Sequence, residues 1–356
     1  MWRAPLLILG FAALIVGVSA GLVRLGWNVP VAATSASLHG VLMICGFFGV
    51  VISLERAVAI GRTWAYLGPV LAGLGSAAAI AGRIPPAPWL FLAASLVLVG
   101  ASIDVLRRQP ALFVLTLSLG ALCWAVGNAW WAFGSTVHQV VTWWLAFPIL
   151  TIAGERLELS RFLSPSPMAK RAFAAIIGVI VLGLLATPTE WGAIVFAAGL
   201  LALSAWLLKQ DIARRTVRSH GLTRFIAVCL LSGYAWLSIG AAVMLAAGGL
   251  SPGSPAYDAS LHALALGFVF SMVFGHAPII FPAVLRVAVP YHPYFYAPLA
   301  LLHVSLVVRL AGDATSRFDW TRTGGMLNAL AIAAFVVGTV NAIVRAKRSE
   351  QRISSR

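Results

Sequence analysis

The sequence predicts an all-α, polytopic membrane protein with twelve transmembrane helices. Three observations carry the prediction. The 356-residue chain is 61% hydrophobic and 10% charged, whereas soluble domains hold about 25% charged residues. Apolar runs near the roughly 20 residues a bilayer requires recur twelve times along it. Charged or Pro/Gly-rich breaks separate these runs, and the basic residues favour alternate breaks.

The first run, 5–23, follows Met1-Trp2-Arg3 and stops at Arg24. It lacks a small-residue cleavage site and reads as a helix, not a signal peptide. The second, 34–54, ends at Glu55-Arg56, and the third, 64–82, lies between Arg62 and Arg83. The fourth, 87–105, follows Pro85-Pro86, and the fifth, 111–133, follows Pro110 and closes at Gly134. The sixth, 137–154, ends at Glu155-Arg156, and the polar stretch 155–170 leads to the seventh, 171–187. The eighth, 190–208, is followed by the polar stretch 209–224 and the ninth, 223–247. The tenth, 257–281, stops at Pro282; the eleventh, 294–311, at Gly312-Asp313; and the twelfth, 324–344, at Arg345. With no linker between them, residues 1–356 read as a single transmembrane domain.

The net charge of +15 first suggests nucleic acid, but topology explains it better. With the N-terminus inside, 20 of the 25 Lys and Arg fall on the inner side. Only Arg24, Arg83, Arg309, Arg317 and Arg322 lie outside. That split follows the positive-inside rule, with basic loops facing anionic headgroups. The expectation is a multi-pass protein of the bacterial inner membrane, both termini cytoplasmic, with lipid and not nucleic acid as its surroundings. Cys45, Cys123 and Cys229 lie inside spans without a paired motif and read as small buried residues.

A weak repeat organises the chain. His39, His138 and His262 open the second, sixth and tenth spans, four spans apart and at one end. Each is followed near the other end by ionisable groups: Glu55-Arg56 after 16 residues, Glu155-Arg156 after 17, and His276 after 14. At 1.5 Å per residue these separations cover about 21–26 Å, most of a hydrocarbon core. The simplest arrangement is three four-helix arcs about a pseudo-threefold axis, with helices 2, 6 and 10 lining the interior. Neutral imidazole is a common metal ligand and the usual protein ligand of haem iron.

The run Ser37-Leu38-His39-Gly40-Val41-Leu42-Met43 resembles the helix II motif of haem-copper oxidase subunit I, whose histidine binds the low-spin haem. Twelve spans and three quasi-equivalent arcs agree with that superfamily. His262 with Gly267 and Met272 looks like the H-x-x-x-x-G…M helix of the NnrS family, and His39…Met43…Gly46-Phe47 is similar to its H-x-M-x-x-G-F segment, with a different His-to-Met spacing. NnrS proteins are twelve-span, haem- and copper-containing relatives linked to nitric-oxide stress. The chain departs from the oxidases in its copper site. His262 stands alone on its span, Thr142 occupies the place of the oxidase tyrosine four residues after His138, and the seventh span has no histidine. Oxygen reduction by the oxidase mechanism is therefore not expected.

The resemblance implies haem b ligated by His39 and His262, with Arg309 against the propionates. Gly40, Gly46, Gly49 and Gly267 would clear space for the macrocycle. His138, partnered by His303, is a candidate for copper or a second haem. The bland alternative for His138 is a place in an interfacial aromatic belt with Trp130, Trp131, Trp143 and Trp144. His276 could join Glu55 or Glu155 in a quinol or proton site, or simply bond a carbonyl freed near Pro278. The expected function is membrane redox chemistry linked to nitric oxide, or electron transfer from quinol, with NO or O2 as the gaseous partner. The catalytic residues and the oligomeric state are left open. The alternatives are a secondary transporter and a haem-based gas sensor without turnover. All ten Asp and Glu sit at span ends or in loops, which does not favour a transporter.

Overall fold

The structure is a computed structural model that describes residues 3–30, 33–187, 189 and 191–354, with 33–35 and 349–354 described for their backbone alone. Met1, Trp2, Glu190 and Arg356, which entered the sequence reading, lie outside the described residues. Every regular element among the described residues is helical.

Among the described residues, twelve helices are long and apolar enough to cross a membrane. Spans 1–6 are Ala4–Arg24, Val41–Ile60, Thr63–Ile80, Ala87–Arg108, Leu112–Ala132 and Val137–Leu163. Spans 7–12 are Pro167–Leu185, Gly192–Gln210, Gly221–Ala246, Pro255–Leu285, Pro293–Ala314 and Phe318–Arg348. Contacts divide the chain into two compact units, Met1–Glu158 and Leu159–Arg356, the boundary falling at the end of span 6. Six spans therefore belong to each unit, and the division cuts through the middle one of the three expected four-helix arcs.

Polar side chains lie within an apolar core, and large apolar ones cover much of the surface. Ser76, Ser95, Thr116, Asn128, Ser204, Ser271, Ser305 and Asn328 are buried. Ile8, Ile15, Leu96, Leu122, Leu182, Val304, Leu330 and Val337 are exposed. An outer surface of this kind suits lipid, and the inward hydroxyls and amides bond between or along helices. Spans 2, 6 and 10, which respectively begin just after His39, hold His138 and hold His262, are the most enclosed. In spans 2, 6 and 10, 72, 83 and 67% of the most apolar stretch is buried, against 28–56% elsewhere.

Spans 2 and 10 each pack antiparallel on the preceding span through glycines. A side chain at Gly10, Gly17 or Gly21 of span 1 would run into Val50, Met43 or His39 of span 2. A side chain at Gly233 or Gly240 of span 9 would run into Met272 or Leu264 of span 10. Missing side chains let backbones approach, which drives association where lipid removes the hydrophobic advantage.

Spans 2 and 10 share a further feature that periodicity did not reveal. Val41–Phe48 and Ala263–Phe270 are π-helical over eight residues each. One begins two residues after His39, the other immediately after His262. Such stretches are rare and concentrate at functional sites. In span 10 the Ser271 hydroxyl donates to the Gly267 carbonyl at 2.6 Å, engaging an acceptor at the exit of the widened turn.

Candidate functional site

In unit 1, a 3-10 turn at Ala33–Leu38 delivers the chain to His39. Its imidazole lies flat on span 1, where a Cβ on Gly21 would stand 2.8 Å from both Nδ1 and Cε1. His39 Nδ1 bonds the Gly17 carbonyl at 2.7 Å. A carbonyl only accepts, so Nδ1 carries the proton and the neutral ring keeps its lone pair on Nε2. Gly17-Val18-Ser19-Ala20-Gly21 thus provides both the acceptor and the room for the ring.

In unit 2, His262 ends the regular helix Pro255–His262. Its Nδ1 faces the Asp258 carbonyl at 2.8 Å and the Asp258 carboxylate Oδ1 at 3.2 Å. Nδ1 carries a proton here too, since a carbonyl only accepts. Arg309, buried on span 11, grips that carboxylate with both arms: Nε donates to Oδ2 at 2.8 Å and Nη2 to Oδ1 at 2.9 Å. Gly324 of span 12 presses on the Arg309 backbone, where a Cβ would stand 2.6 Å from its nitrogen. Beside them Asp313 accepts from the Thr321 hydroxyl at 2.9 Å. The guanidinium foreseen for propionates is thus engaged by Asp258 of its own chain.

The other candidates fall out differently. His138 is exposed in the first turn of span 6, as an interfacial residue would be. Trp130–Trp143 and Trp131–Trp144 ring pairs stand nearby in sequence, with centroids 5.8 and 5.5 Å apart. His303 has both ring nitrogens occupied. Trp236 Nε1 donates to Nδ1 at 3.0 Å, and Nε2–H points to the Ser232 hydroxyl at 3.0 Å. A metal at His303 would have to displace one of these bonds. His276 bonds the Met272 carbonyl of its own helix at 2.6 Å, close to the bland reading of that residue.

Glu155 stands within electrostatic reach of Glu55, Arg56, Arg156 and Glu158. The two Glu-Arg pairs, read from sequence as separate interfacial pairs, therefore form one charge cluster in unit 1. The Arg156 side chain is buried, and its Nε has no hydrogen-bond partner among the described residues.

The glycine clearance expected for a macrocycle is corrected by the packing. A Cβ on Gly267 would stand 2.4 Å from Trp236, on Gly49 2.6 Å from Trp124, and on Gly46 2.8 Å from Ala13. Protein side chains fill these spaces. Only Gly40 keeps room, its nearest outside atom being Val137 Cγ1 at 3.9 Å. Among the described residues no three His, Cys, Asp or Glu side chains converge to hold a metal ion. All three cysteines are free thiols, and Cys45 donates to Asn128 Oδ1 at 3.3 Å. The donor chemistry of His39 and of His262 fits a haem ligand; the glycine faces do not supply the space.

Sequence reasoning missed Gly17 and Gly21, although small-xxx-small is a readable signal. It missed Asp258, four residues before His262 on the same helix face. It also missed Trp236 and Ser232, which no local pattern ties to His303.

Fold and polarity together define a twelve-span, all-α polytopic membrane protein. The chain belongs to the family described as Domain of unknown function (DUF8744), which matches residues 3–344. No curated protein matches it.

Proposed function

We propose that the protein is a haem-binding redox protein of the membrane, with the Nε2 atoms of His39 and His262 as iron ligands. It acts in nitric-oxide-linked chemistry or carries electrons from quinol. One observation carries the reading: both histidines hand the Nδ1 proton to a backbone carbonyl, at 2.7 and 2.8 Å, which leaves the lone pair of a neutral ring on Nε2. An oriented imidazole with its second nitrogen hydrogen-bonded is the usual design of a histidine that binds a metal. The position of each histidine beside a π-helical segment in a deeply buried span supports it further.

When bound, haem would supply one-electron redox chemistry and, with an open position, diatomic gas binding. The chain's own residues do the rest. Gly17 and Asp258 orient the rings, Arg309 holds Asp258, and the apolar residues of Val41–Phe48 and Ala263–Phe270 exclude water. Kinship with haem-copper oxidase subunit I and NnrS belongs to this reading, as do a second haem or copper at His138 and a bacterial inner-membrane location with both termini cytoplasmic. His303 is left out of the ligand set because Trp236 and Ser232 occupy its nitrogens.

The test is the reduced-minus-oxidised absorption spectrum of the full chain, purified from haem-replete cells, with pyridine haemochrome quantification. A b-type spectrum that His39→Ala and His262→Ala each abolish or convert is expected. Monodisperse, folded protein without haem refutes the reading.

A second reading, a secondary transporter, draws on the two units of six spans and on the non-α stretches inside spans 2 and 10. Transporters build substrate sites from repeats and broken helices. Solute uptake into liposomes by haem-free protein would establish it. A gas sensor would share the haem and differ in binding NO or CO without consuming it.

A further inference from the structure

One end of unit 2 concentrates positive charge. Two segments meet there: residues 209–224, at the junction of spans 8 and 9, and residues 286–296, at the junction of spans 10 and 11. Buried Phe225, near the start of span 9, ties them together. Its ring centroid lies 6.3 Å from that of Tyr291 and 5.2 Å from that of Tyr296. Lys209, Arg214, Arg215, Arg218 and Arg224 of the first segment and Arg286 of the second are all exposed. Arg214 Nη1 donates to the Lys209 carbonyl at 3.1 Å, a neutral acceptor. None of the six forms an ion pair among the described residues. Asp211 is the one acid in either segment, and it is turned inward. Its Oδ1 accepts from the Ala213 N–H at 2.7 Å and its Oδ2 from the Tyr234 hydroxyl at 2.8 Å, so both oxygens hold the turn and neither meets an arginine. Other basic segments carry their own acids: Arg108 pairs with Asp104, and Glu155 and Glu158 stand beside Arg156.

Like charges crowded in this way repel one another unless an anion lies among them. The position of the patch names the anion. It caps the ends of four membrane spans, and along the same helices Leu201 and Leu208 of span 8 and Ile279 of span 10 are exposed. A soluble anion would use the charge alone. A phospholipid uses both features, with its phosphate among the guanidiniums and its acyl chains on the apolar residues. We infer that this surface is a binding site for the headgroup of an anionic phospholipid, with the turn carrying Arg214, Arg215 and Arg218 at its centre. The inference is independent of the haem reading and sets this surface apart from the other basic loops.

The test uses the full-length protein in neutral detergent, titrated with phosphatidylglycerol or with phosphatidylcholine, and native mass spectrometry counts the lipids bound. Wild type should bind phosphatidylglycerol well ahead of phosphatidylcholine. The triple variant Arg214→Gln, Arg215→Gln, Arg218→Gln should weaken phosphatidylglycerol binding about 100-fold, each cation beside an anionic headgroup contributing about fivefold. Lysine at the same three positions keeps the charge and should keep most of the binding. The control triple Arg62→Gln, Lys170→Gln, Arg171→Gln removes the same charge from exposed positions elsewhere and should leave binding nearly unchanged. Equal binding of the two lipids by wild type overturns the inference, and so does an equal loss in the control triple. Inorganic phosphate or a poly-glutamate peptide binding the patch where phosphatidylglycerol does not would make the partner soluble and overturn it too. If the patch triple does not fold, the double variant Arg224→Gln, Arg286→Gln decides by the same comparison, with an expected loss of about 30-fold.

Discussion

Replacing Gly21 with alanine probes the seat of His39 directly. The new Cβ would lie 2.8 Å from Nδ1 and Cε1 of the imidazole, short of the 3.4 Å at which ordinary contact begins. The ring must retreat by several tenths of an ångström from a helix whose Gly17 carbonyl it bonds at 2.7 Å. Losing that bond costs about 1 kcal/mol. Overpacking a close helix contact costs about 1–3 kcal/mol. The helix propensity of alanine returns at most about 1 kcal/mol. The balance is a destabilisation of about 1–3 kcal/mol, accompanied by reorientation of His39. Equilibrium unfolding in mixed SDS and dodecyl-maltoside micelles, followed by far-UV circular dichroism, measures the first effect. The NMR spectrum of 15N-labelled histidine reports the second. Gly178→Ala is the matched control in span 7: nothing stands within 4 Å of its Cβ position, so propensity alone should act, with a gain of up to about 1 kcal/mol. If Gly21→Ala tracks Gly178→Ala in both stability and spectrum, the packing argument is wrong.

Three other outcomes follow from the same geometry. Truncating either Arg309 or Asp258 to alanine should destabilise by about 1–3 kcal/mol, the range for charge-assisted hydrogen bonds at a half-buried pair, and the double variant should cost less than the sum; additive losses in unfolding would show the pair to be uncoupled. A double-mutant cycle of Trp236→Phe with His303→Leu should give a coupling of about 0.6 kcal/mol, in the usual range for interhelical hydrogen bonds in membranes, and a zero coupling would remove the indole–imidazole bond from the account. Reporter fusions at the two ends of the chain should both be active only as cytoplasmic reporters, the outcome required by the basic-residue split; opposite sides would refute the twelve-span topology.

Much of the architecture is legible because a bilayer enforces span length. The apolar runs 87–105 and 111–133 correspond to Ala87–Arg108 and Leu112–Ala132. Charged ends mislead where the fold shares the charge. Glu55-Arg56 looked like the close of span 2, yet the helix continues to Ile60, with Glu155 and Arg156 of span 6 near these charges. The π-helical segments could not be read. Val41–Phe48 is small or apolar at every position, so the sequence has no period from which to tell a widened turn from a regular one. At the site, the matched histidines were visible as residues but not the partners that fix their tautomers. Asp258 stood one turn before His262 and could have been seen. Arg309 reaches it from 51 residues away, a distance only the fold closes.

The Arg309–Asp258 pair also constrains how the chain enters the membrane. An aspartate deep in a helix costs about 2.5–3.5 kcal/mol to insert, and less near the interface. Asp258 is the fourth residue of span 10, where that penalty is reduced but not absent. Its counter-charge lies 51 residues downstream and has not been made when Asp258 itself is added to the chain. At about 5–20 residues per second, roughly 3–10 s of synthesis separate the two. A carboxylate without its arginine favours the hydrated membrane edge, so span 10 gains its most stable depth once span 11 is beside it. The two helices are thus expected to settle together as one hairpin, closed by the arginine.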